Sequence, residues 1–359
     1  MRLYLIGAGV IARTHATAAA KLDEPVELHV ADPSAAARAA FAAEHPAAAG
    51  YASAAEMLAA PARDDDIVIV ATPPGFHHGT AVQALRSGRH VLCEKPLAMT
   101  ADEATDLLRV AQEAGRMLGS CSTRYRTLPH NEAVKSVLAS GVLGELLHLE
   151  FVTRFTRSRA GIEYQPGSRW FLDRSKSGGG VLMDLGPYDV STLFDLLHPT
   201  RIEIRDAWLG RAVTGADPAD TVFDIETEVG AALRVHRPDG TAIPVTYGRA
   251  TGTQATERAR GELVGTTGAV RWTPFDSHAP VVLRRDVDGV VVEVEVPPPP
   301  RPDLEIFDRP LVFFHAAMRG RPSPAALGAA AVDEFLVLRA IDEVAATGVP
   351  AAVDIRATA

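Results

Sequence analysis

The stretch LYLIGAGVIA (Leu3–Ala12) decides the fold of the first third of the chain. Its apolar start, Leu3–Ile6, predicts a short buried strand. The residues that follow, Gly7-Ala8-Gly9-Val10-Ile11-Ala12, fit the G-x-G-x-x-G/A pattern of a dinucleotide-binding turn. Glycines there allow a tight turn and the close approach of a pyrophosphate, which binds free N–H groups where the next helix begins. The pattern is weak alone, but its place directly after a strand is the expected one.

The second strand is predicted at Glu27–Ala31 and ends at Asp32, 23 residues after Gly9. An acid at that place can accept hydrogen bonds from both hydroxyls of an adenosine ribose, and its charge would repel a 2′-phosphate. The alternative is that Asp32 caps the helix that follows. We therefore expect NAD as the cofactor, with NADP still possible because Arg38 lies one turn further on.

A third buried strand is predicted at Asp66–Ala71, where β-branched residues run without interruption. It leads into the turn-rich loop TPPGFHH (Thr72–His78) at the carboxyl edge of the sheet, where open α/β sheets bind ligands. The adjacent histidines, His77 and His78, raise the question of a metal site. They have no neighbouring set of carboxylates or cysteines in the sequence, so we expect no metal there.

The segment VLCEKPL (Val91–Leu97) predicts another strand, which runs directly into Glu94, Lys95 and Pro96. A lysine at a strand end beside a cofactor cleft can polarise a C–O bond through its charge, and burial can lower its pKa. Because Pro96 restricts the preceding residue to extended conformations, the backbone aims Lys95. The alternative is an ordinary solvated strand end.

The composition limits the class of protein. A chain of 359 residues is long enough for about two domains, and 47% hydrophobic with 23% charged residues is typical of globular proteins. The net charge of −9 argues against nucleic-acid binding, which needs a basic face. Two cysteines cannot form a disulfide framework, and no run of about 18 apolar residues occurs. We expect no signal peptide, because the stretch before the glycine turn is too short for one. We expect a soluble, cytoplasmic protein with no membrane partner.

The sequence pattern changes near Ser122, so we predict a nucleotide-binding domain over residues 1–121 and a second domain over residues 122–359. After a helix at about Pro129–Ser140, segments of alternating polarity predict a large sheet. The predicted strands are Leu146–Thr156, Arg201–Leu209, Thr221–Glu228, Ala231–His236, Ala242–Tyr247, Gly261–Val264, Ala269–Trp272 and Val281–Val296. An apolar helix near 325–346 is expected to pack between the domains.

The predicted fold class is therefore an α/β Rossmann domain followed by an α+β domain with a large, mostly antiparallel, open-faced sheet. The sheet is large for one domain. We expect a second copy of the chain to cover its far face, which gives a homodimer or homotetramer.

Asp184 and Tyr188 form a second candidate group in the sequence, shortly after three glycines at Gly178–Gly180 that allow the backbone to pass close to a ligand. On one helix, residues four apart differ by only about 40° and point the same way. A carboxylate and a phenol on one face can bind a diol and exchange a proton with it.

The proton-transfer role of Tyr188 depends on a neighbouring charge. The reference pKa of tyrosine, about 10, is too high for a good base at neutral pH, and a nearby lysine such as Lys95 would lower it. The alternative places Asp184 at a helix N-terminus as a dipole partner and Tyr188 in the core.

Together these motifs resemble the Gfo/Idh/MocA family, relatives of glucose–fructose oxidoreductase and inositol dehydrogenase, over nearly the full chain. Arg124-Tyr125 and the strand–turn at Gly261–Gly268 add to the resemblance. The resemblance implies that Lys95, Asp184 and Tyr188 are catalytic, and Asp184 and Arg124 are expected to bind substrate. It implies the following cofactor-binding residues: Gly7, Ala8, Gly9, Val10, Ile11, Asp32, Thr72, Pro73, His77, Glu94 and Lys95.

The chain departs from the commoner pattern of that family at Tyr188. Many members have histidine there, and a minority, including relatives of glucose–fructose oxidoreductase, dihydrodiol dehydrogenase and some ketosugar reductases, have tyrosine. Tyrosine keeps proton transfer plausible but moves its working pH upward. The departure argues against an inositol dehydrogenase.

The activity that the resemblance implies is hydride transfer between NAD(P) and a secondary alcohol or ketone of a sugar, polyol or sugar derivative. Three alternatives remain: an imine or keto-sugar reductase in a biosynthetic pathway, an NAD-dependent glycosidase, and a non-catalytic cofactor-binding sensor. The following arginines could serve an anionic substrate, or could equally be surface residues of alternating strands: Arg124, Arg154, Arg157, Arg159 and Arg169.

Overall fold

Helices and strands alternate in the first third of the chain, and strands dominate after it. The structure is a computed structural model that describes residues 1–156, 166–215, 217–276, 278–300 and 303–356. The first elements are β1 (Arg2–Ile6), α1 (Val10–Ala18), β2 (Glu27–Ala31), α2 (Ala35–Glu44), β3 (Ala49–Tyr51), α3 (Ala54–Leu58), β4 (Ile67–Val70), α4 (His77–Arg86), β5 (His90–Cys93), α5 (Ala101–Ala114) and β6 (Leu118–Ser120). There follow α6 (Pro129–Ala139), β7 (Leu146–Arg154), α7 (Arg174–Ser177), α8 (Val181–Asp184), α9 (Gly186–Leu197), β8 (Arg201–Gly210), β9 (Glu228–His236), β10 (Ala242–Ala250), β11 (Arg258–Gly265), β12 (Gly268–Trp272), β13 (Val281–Val287) and β14 (Val290–Val296). The last elements are α10 (Arg309–Met318), β15 (Ala326–Leu327), α11 (Gly328–Thr347) and β16 (Ala351–Asp354).

The described residues form two compact units. Met1–Arg124 and Asp303–Phe335 form the first, and the described residues of 125–302 and 336–357 form the second. The predicted boundary after residue 121 lies close to the observed one. Residues 303–335, which the prediction assigned to the second domain, belong instead to the first unit, because α10 packs against α1 and β5 and because β15 pairs with β6.

The first unit is built on a seven-stranded sheet with the order β15-β6-β5-β4-β1-β2-β3. All its pairs are parallel except β15 with β6. The apolar runs of β1 and β4 are buried on both faces, as parallel strands covered by helices require. Because β1 lies between β2 and β4, the loops after β1 and β4 leave the sheet side by side at its carboxyl edge. The predicted Rossmann domain is confirmed.

The second unit is built on a nine-stranded sheet with the order β14-β13-β12-β11-β7-β10-β9-β8-β16. Among the described strands of this sheet, β7 and β10 pair in parallel and the other neighbouring pairs are antiparallel. Alternate residues of β9 and β10 face in opposite directions: Leu233 and Val245 are buried, whereas Arg234 and Thr246 are exposed. The helix α8 lies against β9 and β10. The predicted mostly antiparallel sheet is confirmed.

Two of the predicted strands are wrong. Residues 221–227 are irregular, because their backbone groups bind elsewhere in the unit; for example, the Asp224 N–H donates to the Leu172 carbonyl at 3.1 Å. The predicted long strand Val281–Val296 is a hairpin of β13 and β14. Its turn residues Asp288 and Gly289 have φ of 53° and 82°, so the Asp-Gly pair supplies the positive φ values that such turns require.

None of the helices within the described ranges combines the length and the apolar character that crossing a membrane requires.

Candidate active site

The glycine turn after β1 is shaped by packing as well as by space for a ligand. Gly7 has a φ of +102°, and a Cβ there would lie 2.6 Å from the Ala71 carbonyl oxygen, so only glycine fits between the loops after β1 and β4. A Cβ on Gly9, in contrast, would have no described atom within 4 Å. Among the described residues no side chain caps α1, whose first residue, Val10, is 65% exposed. The open N-terminus of α1 thus fits the pyrophosphate of a dinucleotide.

The Asp32 carboxylate is fixed beside this turn at the end of β2. One of its oxygens, Oδ2, accepts a hydrogen bond from the Ala8 N–H at 2.9 Å, and Oδ1 accepts one from the Ser34 N–H at 2.8 Å. The cap of α2 is Ser34, whose hydroxyl accepts from the Ala37 N–H at 3.2 Å. Asp32 is therefore not the helix cap. Its position against the glycine turn fits a ribose-binding acid.

His77 links the loop after β4 to the segment after β5. It is fully buried, with Nδ1 2.7 Å from the Pro96 carbonyl oxygen and Nε2 2.8 Å from the Thr72 carbonyl oxygen. Burial lowers the pKa of His77, although the two carbonyl groups oppose the shift. His78 has a different partner, with Nε2 2.8 Å from an oxygen of Asp106. Both histidines thus serve contacts within the chain, and Pro73 lies exposed on the same loop.

Glu94 is the centre of a buried polar network at the end of β5. Its Oε1 lies 2.8 Å from His15 Nε2 and also accepts a hydrogen bond from Arg124, while Oε2 accepts one from the Lys95 backbone N–H at 3.1 Å. Burial alone would raise the pKa of Glu94, but Arg124, His15 and Lys95 together hold that pKa well below its usual value. Glu94 is therefore an anion that fixes the backbone at Lys95.

The cysteines near this network are not reactive thiols. Cys93 and Cys121 are fully buried, and burial raises the pKa of both. Cys121 Sγ lies 3.8 Å from His15 Nε2, so it packs against the same histidine that contacts Glu94.

Asp184 and Tyr188 lie in the second unit on two successive helices, where the sequence predicted one. Asp184 ends α8, Tyr188 is in the first turn of α9, and Leu185 separates the two helices. The break has a local cause, because Pro187 is well tolerated only at a helix start. Both candidate side chains are buried, with Asp184 7% and Tyr188 4% exposed.

The three glycines before α8 allow close packing within the chain. A Cβ at Gly180 would overlap the Glu226 carbonyl oxygen. The Glu226 carboxylate accepts hydrogen bonds from the Gly180 and Leu182 N–H groups at 2.8 and 3.0 Å and from Arg174 at 2.7 Å. Burial raises the pKa of Glu226, although these donors oppose the shift. The close approach that the sequence assigned to a ligand is, at Gly180, an approach to Glu226.

Tyr188 belongs to an aromatic cluster that is joined to a buried ion pair. Its ring meets the Tyr125 ring edge-on with centroids 5.2 Å apart, and Tyr125 meets Phe275 in the same way at 4.6 Å. The Arg249 guanidinium lies over the Phe275 ring at 4.6 Å and donates two hydrogen bonds to Asp189, the residue next to Tyr188. The Tyr188 ring and the ion pair of the adjacent Asp189 thus pack against the same aromatic cluster.

The predicted site residues thus fall into two groups. The first unit holds the glycine turn, Asp32, the loop from Thr72 to His77, Glu94, Lys95 and Arg124, and the second holds Asp184 and Tyr188. Sequence reasoning missed His15, Glu226, Asp189 and Arg249, whose partners are distant in the chain. One feature of the sequence could have indicated His15: it is a histidine on the buried face of the helix that follows the glycine turn.

The arginines considered for an anionic substrate have carboxylate partners where the structure describes them. Arg124 binds Glu94, Arg154 Nε lies 3.5 Å from Glu228, and Arg169 Nη1 lies 2.9 Å from Asp220. Arg157 and Arg159 lie outside the described residues.

The first unit has the architecture of an NAD-binding oxidoreductase domain, and comparison with known families agrees. Residues 1–121 match the family model described as "Oxidoreductase family, NAD-binding Rossmann fold", and residues 131–271 match the "GFO/IDH/MocA C-terminal domain". The chain belongs to the Gfo/Idh/MocA family of oxidoreductases. The resemblance seen in the sequence is confirmed, as are the enzyme class and the NAD-binding fold.

Similar proteins include sugar oxidoreductases. The 1,5-anhydro-D-fructose reductase of Ensifer adhaerens is 27% identical over 357 residues, which cover 98% of each chain. The D-glucoside 3-dehydrogenase of Escherichia coli K12 is 30% identical over 187 residues, which cover 52% of this chain and 51% of the relative. Levoglucosan dehydrogenase, solved with NADH and levoglucosan, has a TM-score of 0.78 at 19% identity and covers 98% of this chain and 99% of its own. At that identity the likeness shows a shared fold.

Proposed function

We propose that this protein transfers hydride between a nicotinamide cofactor and a secondary alcohol or ketone of a sugar, polyol or sugar derivative. The observation that carries the proposal is the Glu94 network. It joins Lys95 to α1, the helix that begins at the glycine turn, because His15 of α1 contacts the carboxylate that holds the Lys95 backbone. A lysine held in this way can place its positive charge beside the substrate oxygen, where negative charge develops during the reaction.

Each residue has a defined part in the proposed reaction. The Lys95 ammonium polarises the C–O bond, Asp184 accepts a hydrogen bond from a substrate hydroxyl, and the Tyr188 oxygen takes the hydroxyl proton as the alcohol becomes a ketone. When bound, NAD supplies the nicotinamide C4 that accepts the hydride. In the reverse direction Tyr188 returns the proton to the ketone oxygen. Arg124 acts through Glu94, by holding its charge beside Lys95.

The proposed cofactor preference is for NAD over NADP. Asp32 places a negative carboxylate at the end of β2, where it would repel a 2′-phosphate. Arg38 Nη1 donates to the Asp32 and Pro33 carbonyl oxygens at 2.6 and 3.2 Å, so its guanidinium is already held by the backbone. The glycine turn (Gly7–Ile11) and the loop carrying Thr72, Pro73 and His77 complete the proposed cofactor site.

The proposed substrate is a neutral carbohydrate. The described arginines that could have bound an anion are paired with carboxylates, which argues against a sugar acid or sugar nucleotide as ligand of those residues. The activities named for two relatives, a 1,5-anhydro-D-fructose reductase and a D-glucoside 3-dehydrogenase, support the same class.

The proposed assembly is a homodimer or homotetramer formed through the exposed face of the nine-stranded sheet, in a cytoplasmic protein. Trp208 on β8 is 45% exposed, which is unusual for so large an apolar side chain on a sheet. Sedimentation velocity tests the assembly, and a monomer at every protein concentration would contradict it.

A cofactor and substrate panel tests the function. The assay follows NAD(P)H absorbance with NAD or NADP and neutral sugars, polyols, keto-sugars, sugar acids and imines. The proposal expects turnover with neutral sugars or polyols and NAD, and with the matching ketones and NADH. Turnover confined to imines, sugar release without net NADH, or no turnover with any compound would contradict it, and each result identifies one of the three alternatives.

A further inference from the structure

His15 is a buried histidine of the first unit that takes no part in the proton and hydride transfers of the proposed reaction. It lies on α1 five residues after the N-terminal residue of that helix and is fully buried. Its Nε2 is 2.8 Å from Glu94 Oε1, and within the described part of the chain its Nδ1 has no hydrogen-bond partner. Burial of a polar group without a hydrogen-bond partner costs free energy. The contact of His15 with Glu94 therefore indicates a role for this side chain.

The segment around Lys95 is held on both sides by buried histidines. On the N-terminal side, His15 contacts Glu94, whose other oxygen accepts the Lys95 backbone N–H. On the C-terminal side, His77 Nδ1 lies 2.7 Å from the Pro96 carbonyl oxygen. The two histidines come from the helices that follow β1 and β4, so each ties the lysine segment to a loop of the proposed cofactor site.

We propose that His15 is a positioning residue: it donates from Nε2 to Glu94 and thereby fixes the backbone, and with it the ammonium group, of Lys95 relative to α1. The role requires one N–H donor at the place of Nε2 and no exchange of protons. The inference rests on the proposed function and adds to it a residue that fixes the position of the catalytic lysine.

A metal ion at this place is the main competing explanation. His15, Glu94 and Cys121 offer ligand atoms within 4.8 Å of one another. Arg124, however, donates to the same Glu94 oxygen that faces His15, and a cation beside a guanidinium would be repelled. The raised pKa of the buried Cys121 thiol also disfavours the thiolate that a metal needs.

Two substitutions separate positioning from other roles. His15→Gln keeps an N–H donor of similar reach but cannot ionise, and His15→Leu fills the space without any donor. We expect His15→Leu to lower kcat about 10- to 100-fold, the scale of a small misplacement of a reacting group, with a nearly unchanged Kd for NADH. His15→Gln should retain most of the activity and the pH profile of the wild type.

A readout independent of turnover comes from the small number of lysines. The chain has four, Lys21, Lys95, Lys135 and Lys176, so reductive methylation with ¹³C-formaldehyde gives few NMR signals, and Lys95→Arg identifies the one from Lys95. The Lys95 signal should shift in His15→Leu and stay near its wild-type position in His15→Gln. The other three lysine signals serve as internal controls.

The outcomes decide the proposal. An unchanged Lys95 signal in His15→Leu would overturn the positioning role. So would an increase in the Kd for NADH as large as the decrease in kcat. Equal defects in both variants with loss of one limb of the pH profile would identify His15 as a proton carrier instead, and zinc bound at one equivalent to the wild type only would identify a metal site. If no panel compound is turned over by the wild type, the proposed function fails, while the NMR comparison still tests the positioning of Lys95.

Discussion

Replacement of Asp189 by asparagine tests the buried ion pair next to Tyr188. Asp189 is 1% and Arg249 4% exposed. The carboxylate accepts hydrogen bonds from Arg249 Nε at 2.8 Å, from Arg249 Nη2 and from the Tyr247 hydroxyl at 2.8 Å. Burial raises the pKa of Asp189 and Arg249 opposes the shift, so the guanidinium is the main group that keeps the acid charged.

The expected loss follows from the unpaired charge that the substitution leaves. Asp189→Asn keeps the size of the side chain but removes its charge, and breaking a buried pair by removing one partner costs about 3–5 kcal/mol. Folding free energies are about 5–15 kcal/mol, so the second unit should lose a large part of its stability. The double substitution Asp189→Asn with Arg249→Met also removes the unpaired guanidinium. It should recover at least half of the lost free energy of unfolding.

The assay can observe the second unit alone, because the three tryptophans, Trp170, Trp208 and Trp272, all belong to it. Urea unfolding followed by tryptophan fluorescence gives the free energy of unfolding of wild type, single and double variants. A loss below about 1 kcal/mol, as for an exposed pair, would refute the reasoning. A double variant no more stable than the single one would also refute it.

Three further predictions concern other parts of the chain. Asp32→Ser should raise the kcat/KM ratio of NADP to NAD in initial-rate measurements, because it removes the charge that repels a 2′-phosphate; an unchanged ratio would argue against the assigned role. Gly180→Ala should destabilise the second unit by about 1–3 kcal/mol in urea unfolding, since its Cβ would overlap the Glu226 carbonyl oxygen, whereas Gly215→Ala, with no described atom within 4 Å of its Cβ, should not. The pKa of Glu94 is lowered in the folded protein, so the Glu94 charge stabilises the fold at pH values above its usual pKa of 4.5. This stabilisation is lost as the pH falls below 4.5 towards the lowered pKa. The free energy of unfolding in urea should therefore differ less between wild type and Glu94→Gln at pH 4 than at pH 7. An equal difference at both pH values would contradict this prediction.

The features that the sequence predicted well have causes that lie close together in the chain. Both ends of the helix α5 have such local causes, because Thr100 and Glu103 form a capping box at its start and Gly115 adopts the left-handed conformation after its last turn. The glycine turn and Asp32 were likewise found from a short pattern with a fixed spacing. In these places local chemistry determines the structure.

The features that the sequence did not predict depend on partners far away in the chain. Gly180 leaves room for Glu226, which follows 46 residues later, and local sequence cannot distinguish such a partner from a ligand. His15 and Glu94 are 79 residues apart, so neither neighbourhood reveals the contact. The return of residues 303–335 to the first unit is also a tertiary effect, since it rests on packing of α10 and on pairing of β15 with β6.

The most direct test of the central claim is the turnover of Lys95→Ala with the sugar or polyol that the panel identifies. NADH formation gives kcat, and fluorescence titration gives the Kd for NADH in the same variant. The account predicts that turnover is lost while NADH binding persists, because the glycine turn and Asp32 are untouched. Turnover close to that of the wild type would contradict the assignment of Lys95 and with it the proposed reaction.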